Sequence, residues 1–368
     1  MSGYIIIMIP VDDAWYNFNK QGHTNIPRAI EKKKCKFSPK CSDIYISTKT
    51  KIAYLNTPIR LMDIFWTIPV LLYQNRREGV IKKQMKVNCL NEDDIIYLES
   101  QIKKVKETEL CIEVDILKKV KKTDKIKFKD TRKINIGLSK KDLCTFRKKK
   151  KGAFYNCFVL MMRIWCHDTF KEIHVKVFNT GKLEIPGVRD DLLLTKTLNL
   201  LVKTLQPFHS ETIYYKDKSI ETVLINSNFT CNYYINRDKL FTILKYRYNI
   251  NVIYDACSYP GIQCKFYYNK NNPKNNGICY CINKCNKKGS GCGEGQCKEI
   301  SFMIFRTGSV LIVGNCTEEI LNIIYAFLKE TLKTEYKEIY IENSTPSTGK
   351  KKKKRIRKKK IFIERTSD

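Results

Sequence analysis

Two stretches decide the fold: VFNTGKLEIPG at residues 177–187 and IFRTGSVLIVG at residues 304–314. In each stretch an apolar run ending in Phe leads into a Thr-Gly turn, and a second apolar run is closed by glycine. Phe178 and Phe305 stand 127 residues apart, and so do the turn glycines Gly181 and Gly308. A shared offset at several landmarks predicts a duplicated unit rather than two unrelated hairpins.

The alternation of side chains in the second copy predicts a sheet that is apolar on both faces. Ile300, Phe302 and Ile304 point to one side of the strand, and Ser301, Met303 and Phe305 point to the other. An antiparallel sheet covered by helices on one side normally shows water a polar second face. An apolar second face therefore predicts that a partner docks there.

Charge indicates what kind of partner this is. The 368 residues include 69 Lys and Arg against 37 Asp and Glu, a formal net charge of +32. Such an excess favours a polyanion, either nucleic acid or an anionic membrane surface. No apolar run approaches the roughly 18 residues of a spanning helix, and the N-terminus lacks the features of a signal peptide. We therefore expect an intracellular protein without a membrane partner.

The order of predicted elements gives the domain organisation. A predicted strand, helix, three or four strands and a helix occur twice, which is an α+β layout. Asp190 or Asp191 is expected to cap the helix that follows the first hairpin. The residues of this helix at helical spacing are Leu193, Leu194, Thr197, Leu198, Leu201 and Leu205. The predicted segments are an N-terminal arm at 1–42, a first repeat at 43–206 with an insertion at about 74–151, a second repeat at 222–340 with a cysteine-rich insertion at about 269–298, and a basic tail at 344–368.

The cysteine-rich insertion is a candidate metal site. The stretch CYCINKCNKKGSGCGEGQC offers five thiols amid Gly and Lys. Its spacing matches no standard zinc finger, but the number of thiols suffices for one tetrahedral zinc. Unliganded reduced cysteines are the alternative. The candidate ligands are Cys279, Cys281, Cys285, Cys292 and Cys297.

Taken together, these motifs resemble the TATA-binding protein family, whose saddle consists of two repeats of strand, helix, four strands and helix. YPGIQCKF at 259–266 is similar to the family's Phe-Pro-Gly strand, MIFRTGSVLIVG at 303–314 to its hairpin, and LMMRI at 160–164 to the first-repeat counterpart. The insertions resemble those of divergent versions from large DNA viruses of eukaryotes. The resemblance implies a curved antiparallel sheet in two pseudo-symmetric repeats, with helices on the convex face.

The resemblance also implies a DNA-binding surface in which aromatic side chains open base steps at the two ends of a minor-groove site. Phe178, Phe305 and Tyr259 match wedge positions. In the first repeat the ungapped match to Tyr259 is Cys157, with Phe158 and Tyr155 nearby. Arg163 and Lys265 match strand positions that touch phosphate, and Lys182 matches a hairpin lysine. The residues expected at the groove are Thr48, Thr50, Asn226, Asn228, Met303, Leu311 and Val313, the last in place of a threonine of the family.

The implied function is that of a promoter-binding initiation factor. A chain of this kind would act as a monomer on AT-rich promoter DNA and recruit a B-type initiation factor and RNA polymerase. It would work in a cytoplasmic viral factory or virion, or else in the nucleus. Glu184 and Pro186 depart from the family pattern on the groove face. They leave open an alternative, a saddle that binds proteins in a nucleoprotein or virion and binds DNA only nonspecifically.

Catalysis is not expected. None of the four histidines combines with a nucleophile and an acid in a persuasive pattern, and the sequence has no phosphate-binding glycine loop. The run of Lys and Arg at 350–360 adds nonspecific DNA affinity or serves as a nuclear import signal.

Overall fold

The computed structural model describes residues 37–120, 128–144, 154–188 and 190–342. Most of the predicted N-terminal arm and the basic tail at 344–368 lie outside the described residues. All elements named below belong to the unit that begins at Pro39. Within the described ranges, no helix has the length and apolar character needed to cross a membrane.

Fourteen strands are found in the described residues. They are β1 Tyr45–Tyr54, β2 Gly79–Cys89, β3 Ile112–Val120, β4 Lys129–Gly137, β5 Cys157–Cys166, β6 Thr169–Phe178, β7 Lys182–Val188, β8 Glu221–Thr230, β9 Tyr234–Ile235, β10 Asn251–Ile253, β11 Gly261–Tyr268, β12 Lys298–Phe305, β13 Ser309–Gly314 and β14 Tyr340–Ile341.

The α-helices of the same residues vary from one turn to almost five turns. They are α1 Leu61–Thr67, α2 Glu92–Lys106, α3 Lys140–Cys144, α4 Asp191–Leu205, α5 Arg237–Thr242, α6 Glu318–Thr334 and α7 Tyr336–Ile339. A π-helical turn at Ile243–Arg247 continues α5.

Twelve of the described strands form one antiparallel sheet in the order β10-β11-β12-β13-β8-β1-β7-β6-β5-β2-β4-β3. The pair β1–β8 lies at the centre of two matching halves, because β13, β12 and β11 follow β8 as β7, β6 and β5 follow β1. The two repeats therefore form one continuous sheet. This arrangement confirms the predicted α+β class with two antiparallel repeats.

The strand order also shows what the first repeat adds. β2 pairs with β5 in the place that β10 holds beside β11 in the second repeat. We therefore assign β2 to the repeat itself. The segment predicted as an insertion at about 74–151 thus contains one strand of the repeat, and α2, β3, β4 and α3 are what the first repeat adds between β2 and β5.

The helices cover one face of the sheet and form the core with it. The side chains of Phe302, Ile304 and Ile312 are fully buried in the same cluster as Ile324 and Leu328 of α6. In the first repeat the six buried residues of α4 are those expected at helical spacing: Leu193, Leu194, Thr197, Leu198, Leu201 and Leu205. Asp190 caps α4, since its carboxylate accepts the backbone N–H of Leu193 at 2.8 Å.

The turn glycines of the two hairpins are fixed by the same contact in both repeats. Gly181 has a φ of +79° and Gly308 a φ of +80°. A Cβ on Gly181 would lie 2.5 Å from the carbonyl oxygen of Thr57, and one on Gly308 would lie 2.2 Å from that of Tyr233. The turn therefore packs against the chain that leaves the first strand of its own repeat, and this explains why a Thr-Gly turn occurs twice.

Replacement of Gly308 by alanine is expected to lower the free energy of unfolding by about 3 kcal/mol or more, because the methyl group meets a backbone carbonyl at a positive φ. Gly187→Ala is the matched control. Gly187 also has a positive φ, +86°, but an added Cβ meets nothing within 4 Å. Gly187→Ala should therefore lower the free energy of unfolding, measured with urea, by only about 1 kcal/mol. Equal costs for the two variants would contradict this packing argument.

Candidate nucleic-acid interface

The face of the second repeat opposite the helices presents two rows of side chains. Met303, Leu311 and Asn228 are cross-strand neighbours in one row, and Ser301, Val313 and Asn226 are neighbours in the other. All of these side chains are half-buried. Lys265 and Phe305 project to the same side at the end of the sheet. We call the following set the open face: Asn226, Asn228, Lys265, Ser301, Met303, Phe305, Leu311 and Val313.

Thr48 and Thr50 continue this face across the centre of the sheet. Thr48 lies opposite Asn226, and Thr50 lies between Leu224 of β8 and Pro186 of β7. The amide of Asn228 donates to the hydroxyl of Ser47 at 2.7 Å, which fixes its orientation. The polar residues predicted to contact the groove are thus brought together with the apolar ones.

An aromatic pair marks the outer end of the open face. The rings of Tyr259 and Phe305 meet edge to face with centroids 5.9 Å apart. Gly261 lies directly opposite Phe305, and a Cβ on Gly261 would approach both rings to 3.0 Å. Any side chain at residue 261 would crowd the two rings that lie over β11, a close approach that the sequence pattern alone did not reveal.

The turn that carries Tyr259 is held by hydrogen bonds. Its backbone N–H donates to the carbonyl of Asp255 at 3.0 Å, and the Asp255 carboxylate accepts the N–H of Cys257 at 2.9 Å and the hydroxyl of Ser258 at 2.5 Å. The hydroxyl bond and the Cys257 bond hold the pKa of Asp255 below its usual value. Arg237 donates to the carbonyl of Pro260. The aromatic pair is therefore positioned before any ligand arrives.

The two lysines predicted to contact DNA lie in different repeats. Lys265 donates to Glu299 at 2.6 Å and to the hydroxyl of Ser301 at 2.9 Å, and its side chain remains 39% exposed. Lys182 lies 5.9 Å from the ring centroid of Phe178 at the first hairpin.

In the first repeat the corresponding surface is different. Glu184, which would repel a groove, lies opposite Lys176 and accepts from its ammonium group at 2.5 Å. The carboxylate is thereby neutralised locally.

Two predicted contacts in the first repeat are wrong. Phe158 is fully buried and packs on the helix side against Phe65, so it cannot act as a wedge. Arg163 is 5% exposed, and its guanidinium donates to the backbone carbonyls of Asn75 and Tyr73 at 2.8 and 3.1 Å. It anchors the chain before β2 instead of meeting phosphate.

Strand alternation explains the first error, since Phe158 shares the helix-covered face of β5 with Leu160 and Met162, and the strand register explains the second. Cys157 lies opposite Phe178 as Gly261 lies opposite Phe305, so Tyr155, two residues earlier, is the counterpart of Tyr259. The ungapped sequence match that aligned Cys157 with Tyr259 is therefore displaced by two residues.

The cysteine-rich insertion brings four of its five cysteines together. The sulfur atoms of Cys279, Cys281, Cys285 and Cys297 lie within 4.8 Å of one another. Cys297 is 3.5 Å from Cys281 and 3.6 Å from Cys279, sulfur to sulfur. In a tetrahedral ZnS4 site with bonds of about 2.3 Å the sulfur atoms stand about 3.8 Å apart, so the four thiols fit zinc.

Backbone N–H groups donate hydrogen bonds to two of the four clustered thiols. The N–H of Gly295 donates to Cys281 at 3.3 Å, and that of Lys287 donates to Cys285 at 3.4 Å. Although burial opposes it, this donation helps hold the pKa of Cys285 below its usual value, whereas burial raises that of Cys297. Such N–H to sulfur bonds orient thiolate ligands.

Cys292 does not join this cluster. Its side chain is exposed and its sulfur lies 3.9 Å from the side-chain oxygen of Asn271. The prediction of Cys292 as a metal ligand is therefore corrected, and the four clustered cysteines alone make up the candidate site.

Comparison with known proteins bears on this surface. No family model matches the chain. A TATA-box-binding protein-like protein of Acanthamoeba polyphaga mimivirus is 26% identical over 215 residues, which are 54% of this chain and 53% of the relative. This likeness confirms the predicted resemblance to the TATA-binding protein family. The chain spans about half the length of that TATA-box-binding protein-like relative.

A solved structure was also matched. The TATA-binding protein of Methanococcus jannaschii is 10% identical, with a TM-score of 0.39, and the match covers 80% of this chain and 99% of that one. The assignment of a TATA-binding-protein-like fold here rests on the strand order and on the two repeats.

Proposed function

We propose that the open face of the second repeat docks in the minor groove of double-stranded DNA. The observation that carries this proposal is the combination of apolar Met303, Leu311 and Val313 with the amides of Asn226 and Asn228 on one uncovered sheet face. The floor of a minor groove offers sugars and base edges to apolar side chains. At A·T pairs it presents only acceptors, which suit amide donors.

Charge supports the same reading. The net charge of +32 favours association with a polyanion, and Lys265 and Lys182 stand where phosphates would rim a groove. Binding should accordingly weaken steeply with added salt.

Within the cell the chain would serve as a transcription initiation factor. The likeness to a viral TATA-box-binding protein-like relative supports AT-rich promoter DNA as the target. A B-type initiation factor and RNA polymerase would be its partners, and the protein would act as a monomer without catalytic activity. A viral factory or virion would be its location, with the nucleus as the alternative.

One structural zinc would be held by Cys279, Cys281, Cys285 and Cys297. The spacing of the sulfur atoms and the backbone donors to Cys281 and Cys285 support this proposal. When bound, the metal would fix the insertion between β11 and β12, because a four-thiolate site is structural and leaves no open coordination position.

Bending of a short AT-rich duplex, measured by energy transfer between its ends, tests the proposal. The intact chain is expected to bring the ends closer, and Phe305→Ala is expected to reduce both the bend and the affinity by about tenfold or more, since stacking of one base on an aromatic ring contributes roughly 1–3 kcal/mol. A duplex that stays straight with the intact chain would contradict minor-groove docking.

A second function is favoured by the first repeat. The neutralised pair of Glu184 and Lys176, together with Pro186 beside Thr50, gives that half a surface that suits a protein better than a groove. The chain would then be a nucleoprotein component with only nonspecific DNA affinity. Salt-sensitive binding without bending and without preference for AT-rich sequence would support this alternative.

A further inference from the structure

The two ends of the sheet differ in a way that bears on how DNA is deformed, and this inference rests on the proposed function. We infer that only the second repeat kinks the duplex, so that the bend is concentrated at one end of the site. The first repeat opens no base step. The structural basis is the geometry around two equivalent residues, Gly261 and Cys157.

In the second repeat the glycine leaves room for the wedge. The rings of Tyr259 and Phe305 both lie over Gly261, and a Cβ at that residue would lie only 3.0 Å from an atom of each ring. The rings thus form a pair at the end of the open face. Two adjacent rings can enter one base step and replace the stacking that the step loses.

In the first repeat the equivalent position carries a side chain. Cys157 lies opposite Phe178, is 2% exposed, and does not belong to the core beneath the helices, whereas its neighbour Phe158 does. Its Cβ and sulfur therefore occupy the space that the aromatic pair uses over Gly261. Tyr155, two residues earlier, does not lie across Cys157, and the other exposed aromatic described at this end is Phe154, whose ring centroid lies 5.2 Å from the Lys176 ammonium group.

Tyr155 accordingly takes a different direction. The Lys86 ammonium lies 3.6 Å from the centroid of the Tyr155 ring and, by hydrogen bonding, holds the pKa of this phenol below its usual value. Lys86 belongs to β2, which pairs with β5 on the side away from β6 and Phe178. The ring of Tyr155 is thus drawn away from Phe178, and the two do not make the pair that Tyr259 and Phe305 make.

The rest of the first repeat's outer surface is covered by its own chain. The backbone N–H of Lys140, at the start of α3, donates to Glu172 of β6 at 3.0 Å, and Asp142 of α3 accepts from Lys82 of β2 at 2.9 Å. Met161, between these strands on the same face, is 7% exposed. In the second repeat the equivalent residue is Lys265, which remains accessible.

These contacts place α3 where a duplex would have to lie. Asp142 is paired with Lys82 and also accepts the hydroxyl of Ser139 at 2.6 Å, so α3 is held on this surface. The cover therefore opposes a duplex by its bulk, since the charge of the carboxylate is balanced by Lys82. The second repeat lacks an equivalent cover among the described residues.

Two double variants test the inference by energy transfer on the same AT-rich duplex. Tyr259→Ala/Phe305→Ala is expected to return the duplex to its straight form and to lower affinity by about tenfold to a thousandfold. Tyr155→Ala/Phe178→Ala, and the same variant with Phe154→Ala added to remove its exposed ring as well, are expected to keep the bend and to change affinity by less than about threefold. Tyr259→Phe keeps the ring and should keep the bend, which separates loss of the wedge from loss of folding.

If each double variant removes part of the bend, both repeats kink DNA; the inference is then overturned while the proposed function stands. If the intact chain leaves the duplex straight, the proposed function and the inference fail together. Thermal unfolding of each variant shows whether a loss of bending reflects a loss of structure.

Discussion

Leu311→Glu will lower the affinity for duplex DNA by about a hundredfold or more, which corresponds to roughly 3 kcal/mol. Leu311 lies between Met303 and Asn228 in the middle of the open face. A carboxylate there would be stripped of water on the floor of a groove whose rims are negative. The measurement is a titration of a labelled AT-rich duplex at fixed salt concentration.

A matched control separates position from charge. Tyr246→Glu adds the same carboxylate at a residue that is 68% exposed in the π-helical turn after α5, on the helix side of the sheet. It should change affinity by less than about threefold, the screened effect of one distant charge. Equal losses for the two variants would mean that DNA is held by net charge and not by the open face.

Purified without chelators, the chain is expected to contain one zinc ion, and Cys281→Ser is expected to lose it. Structural zinc sites of this type contribute roughly 10–16 kcal/mol of binding free energy, so its removal should unfold the insertion between β11 and β12. Elemental analysis gives the stoichiometry. Limited proteolysis should then show new cleavage between residues 269 and 297 after metal removal.

Cys292→Ser is the control for this experiment, since Cys292 lies in the same insertion but outside the cluster of four sulfur atoms. It should keep the zinc and the protease resistance of the native chain. A metal-free native protein with a protected insertion, or loss of zinc from Cys292→Ser, would show that the four thiols do not form the proposed site.

Sequence patterns predicted the duplicated part of the fold because that part depends on local chemistry. Turn glycines at Gly181 and Gly308 are required by positive φ and by a nearby carbonyl, so they appear as a repeated motif. Alternation in β12 separates Phe302 from Met303, and burial follows that alternation. The periodicity of α4 likewise predicted its buried face.

Some site residues that were predicted wrongly depend on contacts between segments far apart in the sequence, and a local sequence pattern carries no information about such contacts. Arg163 is buried because the chain at Tyr73 and Asn75 folds over it, and nothing near Arg163 in the sequence indicates this. Phe158 is adjacent to Cys157 and therefore points to the opposite, helix-covered face of β5, an alternation that the ungapped match did not take into account. Cys292 is close in sequence to the other candidate ligands, but its side chain is exposed and lies outside the cluster of four sulfur atoms.

Base substitution in the duplex is the most direct test of whether the open face docks in the minor groove. Replacing A·T pairs of a bound site by inosine·cytosine keeps the minor-groove pattern of acceptors and changes the major groove. Docking of the open face in the minor groove predicts that affinity and bending survive this replacement and are lost when the same pairs become G·C, which places an amino group in the minor groove. Loss of binding with inosine·cytosine would contradict the account.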